Sequence, residues 1–326
     1  MKTKILCITP IKHLQGVYEK LSTFGEVRYE PNVSKQELIE ILINNPIEYI
    51  FTNPNKQGFI LNEEVLKHGE IKVINTCSTG LNHIDLDYCT NNKIEVWSLT
   101  TDYELINDLP STSELAFGLM LSLLRNIPKS FNNVKDGNWD YEPFIGHQVK
   151  GLTIGVIGYG RLGKIMERLF NGWGVKVLID DPYVDCDKVD KDYLIVNSDV
   201  IFLHVHVTEE TREMVNEVFL SKMKKGSSII NTARGKIIKN LDIIYDYLLN
   251  DKLYSIAFDV LPDEPPKKNK LISSWLNRDK ISPRILINPH VSYYSNESFI
   301  ECREKASLNA LTIINKKEPK NIIYDF

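Results

Sequence analysis

Residues 152–181 constrain what this chain can fold into more than any other stretch. Residues 152–157 are an apolar run that reads as a buried strand. Gly158, Gly160 and Gly163 follow in G-x-G-x-x-G spacing, and residues 164–173 carry apolar side chains at helical intervals. A second β-rich run, residues 175–179, leads into Asp180 and Asp181. Strand, glycines, helix, strand and acid in that order read as one βαβ unit in a parallel sheet. Each piece has a task if a dinucleotide binds there. Gly158 allows the tight turn, Gly160 lets a pyrophosphate approach the backbone, and Gly163 permits close packing of helix on strand. The pyrophosphate would rest on the free N–H groups of the helix N-terminus. Asp181, 18 residues beyond Gly163, is placed to accept hydrogen bonds from the adenosine ribose. An acid there favours NAD over NADP, because it would repel a 2′-phosphate.

The remainder of the chain keeps an α/β rhythm. In residues 1–100, β-rich runs at 4–9, 26–29, 49–52, 72–76 and 95–97 alternate with helical patterns at 16–24, 34–44 and 62–68, and Ser34 caps the second of these. That order predicts a parallel, flavodoxin-like sheet, and without a glycine fingerprint its task is to hold substrate rather than nucleotide. Beyond Asp181, strands are expected at 200–205, 228–232, 255–260 and 285–288, with helices at 216–222 and 241–250. Residues 261–283, with Pro262, Pro265, Pro266 and a run of lysines, read as an exposed loop. A helix over 297–315 is too little for a domain and is expected to return to the first one. The predicted organisation is therefore a substrate domain of residues 1–100 and 293–326, and a Rossmann NAD-binding domain of residues 101–292, both with parallel sheets. Residues 115–124 are apolar on nearly every helical face. Such a helix has to be covered on all sides, inside its domain or by a second subunit, and a homodimer is expected.

Charge and cysteines exclude several classes. A net charge of −4 and a pI near 6.0 give no reason to expect nucleic acid or an anionic membrane as partner. The five cysteines are scattered and form no C-x-x-C, so neither a disulfide framework nor a zinc site is expected, and a cytoplasmic location is the default. The apolar run near the N-terminus stops at Thr9-Pro10, too short for a signal peptide, and no run approaches the roughly 20 residues that cross a bilayer. His204 and His206 alternate along a strand and point the same way, but lack a third ligand nearby, so no metal is expected.

Three segments fall at the C-terminal ends of strands, the edge where open α/β sheets bind ligands. They are Asn231-Thr-Ala-Arg-Gly235, Asp259-Val-Leu-Pro-Asp-Glu-Pro265 and Asn288-Pro-His-Val-Ser292. An arginine forks onto a carboxylate and polarises the adjacent carbonyl. A histidine titrating near neutrality gives or takes the hydroxyl proton. A carboxylate on its second ring nitrogen fixes the tautomer and stabilises the imidazolium. That set suits hydride transfer between a nicotinamide and a 2-hydroxy/2-oxo acid. Taken singly, Arg234 could cap a turn, Glu264 could be a solvated loop acid and His290 a structural histidine.

With these segments in view, the chain resembles the D-isomer-specific 2-hydroxyacid dehydrogenases nearly end to end. Cys77-Ser-Thr-Gly-Leu-Asn-His-Ile-Asp85, Ser113-Glu114, Gly137-Asn-Trp139, Lys150-Gly-Leu-Thr-Ile-Gly155 and Glu318-Pro-Lys-Asn-Ile322 fall in family order. The resemblance implies that Arg234 binds and polarises substrate, Glu264 orients His290, and His290 is the acid/base. Ser78, Thr79 and Gly80 would take the substrate carboxylate through their backbone, in a cleft between the domains that closes before hydride moves. Arg161, Leu162, Thr232 and Ala233 would join Gly158, Gly160, Gly163 and Asp181 around NAD, with Asp259 on the nicotinamide amide. The substrate would be a small 2-hydroxy/2-oxo acid, 3-phosphoglycerate or a relative. A non-catalytic NAD(H)-sensing regulator and a formate or phosphite dehydrogenase share this fold and stand as alternatives. Two departures from the family pattern are His206, where proline is usual, and Ser78-Thr79, where glycine and a small apolar residue are commoner.

Overall fold

A computed structural model describes residues 3–54, 58–100, 106, 107 and 109–314, without the side chains of 307–314. The chain divides into two compact units, Met1–Leu109 with Ser295–Phe326 and Pro110–Tyr294, so the divisions fall at 109/110 and 294/295 rather than at 100/101 and 292/293. The segment 318–322 lies outside the described residues.

The first unit is built on strands β1 (Thr3–Cys7), β2 (Gly25–Tyr29), β3 (Tyr49–Thr52), β4 (Val73–Thr76) and β5 (Glu95–Trp97). All pair in parallel, in the flavodoxin-like order β2-β1-β3-β4-β5. Both faces are apolar because successive strand residues point to opposite sides. Leu6, Ile50 and Ile74 pack with helix α2 (Lys35–Asn44) on one face, and Ile5, Cys7, Tyr49, Phe51 and Val73 on the other. Helices α1 (Val17–Ser22), α3 (Glu63–Leu66) and α4 (Leu86–Asn91) complete the crossovers. The sequence reading missed α4, which is only 6 residues long and has one fully buried residue, Cys89; its legible signal is Asp85, whose carboxylate accepts from Tyr88 N–H.

The second unit starts with α5 (Ser111–Leu124) and α6 (Ile127–Lys135), then β6 (Thr153–Ile157), α7 (Arg161–Leu169), β7 (Lys176–Asp180), α8 (Lys191–Asn197), β8 (Val200–Leu203), α9 (Glu217–Lys222), β9 (Ser227–Asn231), α10 (Leu241–Leu249), β10 (Leu253–Phe258), α11 (Lys270–Leu276) and β11 (Ile285–Ile287). Its six strands are parallel in the order β7-β6-β8-β9-β10-β11. The order reverses between β6 and β8, a topological switch point of the kind where doubly wound sheets bind ligands. Helix α5 lies on this sheet, with Ala116, Leu119, Met120 and Leu123 packed among Ile154, Val156, Ile230 and Ala257. Leu124 is buried in the same cluster, and the remaining apolar residues, Leu115, Phe117 and Leu121, are half-buried against it, so α5 is covered largely within its own unit. One expectation is corrected: residues 270–276, read as loop, are helical. Asn269 caps α11, and Leu271 and Ile272 are buried. The surrounding prolines and lysines masked a short amphipathic repeat.

The last helix, α12 (Asn296–Ile314), belongs to the first unit, where Phe299 and Ala306 join the cluster of Ile5 and Phe51 and Asn75 donates to the Ala306 carbonyl at 2.9 Å. No helix among the described residues is long and apolar enough to cross a membrane.

Candidate active site

At the switch point, Gly158 has φ +95°, and a Cβ there would collide with the His204 carbonyl. A Cβ on Gly163 would overlap the Gly158 carbonyl oxygen, so α7 approaches the turn only because this residue is glycine. At Gly160, which stands at the N-cap of α7, a Cβ would meet no described atom within 4 Å. Room beside a helix N-terminus, backed by a tightly packed turn, fits a pyrophosphate. Ser113 Oγ donates to the Leu162 carbonyl at 3.0 Å and ties α5 to this helix.

Asp181 is anchored on both oxygens. Oδ2 accepts from Tyr159 N–H at 2.7 Å, inside the glycine turn, and Oδ1 accepts from Tyr183 and Val184 N–H at 2.9 and 3.2 Å. The carboxylate therefore fixes the turn and keeps lone pairs that could accept from a ribose. Asp180 points elsewhere, 3.7 Å from Lys191, and burial raises its pKa. His204 follows β8, which stops at Leu203, with both ring nitrogens buried and unpartnered among the described residues, stacked on Phe202 at 6.2 Å. Burial, with Arg161's charge second, lowers its pKa to about 4. His206 is an exposed residue whose pKa is lowered by partial desolvation of its ring, then by Arg234 and Arg161.

Arg234, Glu264 and His290 come together at the ends of β9, β10 and β11. Asn231 accepts from Ala233 N–H at 3.0 Å and donates to the Arg234 carbonyl at 3.1 Å, which locks the turn carrying the arginine. Arg234 Nη1 donates to the Ala233 carbonyl at 2.7 Å. Burial lowers its pKa, opposed by the charge of Glu264. The next residue must be glycine, since a Cβ on Gly235 would overlap the Leu261 carbonyl. Thr232 and Ala233 are buried, and the Thr232 hydroxyl has no partner among the described residues.

Glu264 is held between two donors: Oε1 accepts from Leu261 N–H at 2.9 Å and Oε2 lies 2.7 Å from His290 Nδ1. A carboxylate on Nδ1 makes that nitrogen the N–H and leaves Nε2 for acid/base work. The hydrogen bond to Glu264 raises the His290 pKa, burial opposes it, and the charges of Glu264 and Asp259 add to the rise. On Glu264, burial pushes upward, but the bond and charge of His290, the Leu261 N–H and Arg234 outweigh it, so its pKa is lowered. His290 itself sits at φ +57°, a left-handed conformation that is costly for a side-chain-bearing residue. Asp259, 1% exposed, supports it: its carboxylate accepts from Val291 and Ser292 N–H at 2.8 and 2.9 Å, and its carbonyl from His290 N–H at 2.9 Å. Sequence reasoning did not assign Asp259 this bracing of the histidine loop.

In the first unit, Ser78, Thr79 and Gly80 follow β4. All three carbonyls are engaged, Ser78's by Leu99 N–H at 3.1 Å, Thr79's by the Thr100 hydroxyl at 3.1 Å, and Gly80's by the Ser78 hydroxyl at 2.7 Å. A trans peptide sets N–H opposite C=O, so the N–H groups of Thr79, Gly80 and Leu81 point away from these partners. Among the described residues no hydrogen bond uses them. Adjacent free N–H groups make an anion-binding concavity. Thr76 and His83, which back this turn, were not singled out from sequence; nothing in their spacing marks them.

A parallel sheet with a glycine-rich turn at its switch point and an acid at the end of the next strand defines a dinucleotide-binding fold. Residues 117–292 match the family described as D-isomer specific 2-hydroxyacid dehydrogenase, NAD binding domain. The chain is 30% identical to the D-lactate dehydrogenase of Escherichia coli over 82% of its own length and 80% of that protein. It is 30% identical to the D-3-phosphoglycerate dehydrogenase of Methanocaldococcus jannaschii over 83% of its length, but spans about half (51%) of that relative. The structure of Aquifex aeolicus D-lactate dehydrogenase complexed with NAD and lactic acid is similar at a TM-score of 0.81 and 26% identity, covering 99% of this chain and 100% of that one. The chain belongs to the D-isomer-specific 2-hydroxyacid dehydrogenase family, whose members are NAD-dependent oxidoreductases acting on CH–OH groups.

Proposed function

We propose that this chain reversibly transfers hydride between NAD(H) and a small 2-hydroxy/2-oxo acid, 3-phosphoglycerate or a related acid, with His290 as acid/base. The observation that carries the reading is the 2.7 Å bond between Glu264 Oε2 and His290 Nδ1, which leaves Nε2 as the working nitrogen. Gly158, Gly160, Arg161, Leu162, Gly163, Asp181, Thr232, Ala233 and Asp259 are assigned to the cofactor. NAD(H) supplies or accepts the hydride. In the reducing direction protonated His290 gives its Nε2 proton to the carbonyl oxygen as that oxygen becomes a hydroxyl, and in oxidation neutral His290 takes it back. Glu264 stabilises the imidazolium so formed. Arg234, with N–H groups beyond the one given to Ala233, binds the carboxylate and polarises the carbonyl. In the first unit, the N–H groups around Ser78, Thr79 and Gly80 are assigned to a substrate carboxylate. We also propose a homodimer.

The test is NADH consumption across a panel of 2-oxo acids that includes phosphorylated members. One or more should be reduced, and the corresponding D-2-hydroxy acid should reduce NAD. NADH binding without turnover of any member would instead make the chain a sensor, and oxidation of formate or phosphite alone would move it to another substrate class.

A further inference from the structure

Behind the 78–80 turn runs a chain of short polar contacts. His83 Nε2 lies 2.9 Å from Thr76 Oγ1, Thr76 Oγ1 lies 2.9 Å from Ser78 Oγ, and Ser78 Oγ donates to the Gly80 carbonyl at 2.7 Å. The proton directions follow from the last link. Ser78 has one hydroxyl proton and gives it to Gly80, so it accepts from Thr76. Thr76's single proton is thereby committed, so its oxygen accepts from His83, and Nε2 must carry the hydrogen. His83 is then the Nε2–H tautomer with a bare Nδ1, and Nδ1 is buried without a hydrogen-bond partner among the described residues. Burial lowers the His83 pKa to about 4, which keeps the ring neutral near neutrality. Thr76 is fully buried and His83 only 7% exposed, so water does not compete for these links.

We propose that His83 is a positioning residue for substrate: through Thr76 and Ser78 it holds the Gly80 carbonyl, and so keeps the neighbouring N–H groups aimed outward at the substrate carboxylate. This rests on the reading that the 78–80 turn takes that carboxylate. Without the His83 donor, the Thr76 proton is free to turn away from Ser78, the Ser78 hydroxyl loses its fixed direction, and the Gly80–Leu81 peptide can rotate. The cofactor residues lie in the other unit and share none of these bonds.

The test uses the intact chain with three variants. His83→Leu removes the donor, Thr76→Val removes the middle link at nearly constant shape, and His83→Gln returns a side-chain N–H that can reach Thr76. Leu and Val should each raise KM for the 2-oxo acid about tenfold, the effect of losing one buried hydrogen bond, with kcat and NADH affinity near wild type. Val combined with Leu should be no worse than the weaker single variant, because both break one chain. Gln should recover most of the loss. Independently, nitrogen NMR of labelled wild-type protein should show His83 protonated on Nε2 and bare on Nδ1. An Nδ1–H tautomer overturns the proposal, and so do additive variants or an unchanged KM. Should the wild type turn over no 2-oxo acid, the functional reading fails by itself, and the tautomer still decides the relay.

Discussion

His290 is a side chain whose environment sets its chemistry. Replacing it with glutamine removes the proposed proton donor and should cut turnover by a factor of roughly 10² to 10⁴ while NADH binding persists; calorimetry beside steady-state rates reads both. Glu264→Gln tests the pair. In the native protein the Glu264 bond raises the His290 pKa, so removing the negative charge lowers it. On the proposed mechanism reduction needs protonated His290, and its activity should fade at a lower pH than in wild type. Oxidation needs the neutral ring, and that limb should gain activity at lower pH. An unchanged pH–rate profile would make Glu264 a bystander. Asp181 carries a second residue-scale prediction. NADH should be preferred over NADPH, and Asp181→Asn should narrow the gap. Because Asp181 also receives Tyr159, Tyr183 and Val184 N–H groups, an amide turned the wrong way meets one of those donors, and affinity for both cofactors should fall. Equal use of both cofactors by the wild type would remove this role from Asp181.

Elements differ in how openly the sequence declares them. The β6–α7–β7 unit is legible because its determinants are local: an apolar strand, glycines at fixed spacing, a helix and an acid. The flavodoxin-like alternation of the first unit is legible for the same reason. What stays hidden depends on tertiary closure. The identities of Arg234, Glu264 and His290 can be picked out as side chains suited to the chemistry, whereas the bracing of the His290 loop by Asp259 joins residues 32 and 33 apart. The His83–Thr76–Ser78 chain is hidden too, since a buried histidine looks the same in sequence whichever nitrogen it protonates. Helix α11 was masked by its flanking prolines and lysines, although Asn269 offers a capping signal. That correction is testable. Leu271 is fully buried in the core of the second unit, so Leu271→Ala should cost about 2–5 kcal/mol in denaturant unfolding. In an exposed loop the same change would cost almost nothing.

At the scale of the whole molecule, the distribution of exposed apolar surface leads to a prediction about assembly. Helix α5 is apolar on nearly every face from Leu115 to Leu124, yet its own unit covers most of that surface. The uncovered surface lies just beyond. Ile127, Phe131 and Val134 share one face of α6, a helix that fully buries none of its residues, and Trp139, Tyr141 and Ile145 follow with 91%, 84% and 88% exposure. Phe131, Trp139 and Tyr141 offer roughly 150–250 Å² each. With the three aliphatic residues they approach the ~800 Å² per partner of a standard interface. Exposed apolar surface on that scale points to an interaction site, and a second copy of the same surface across a two-fold axis is the commonest way to cover one. The chain should therefore sediment as a dimer at micromolar concentration. Trp139→Lys combined with Ile145→Lys should give a monomer with unchanged far-UV circular dichroism, because neither side chain contributes to the unit's core. A wild type that sediments as a monomer would refute the assembly, and a double variant that stays dimeric would move the interface to another face.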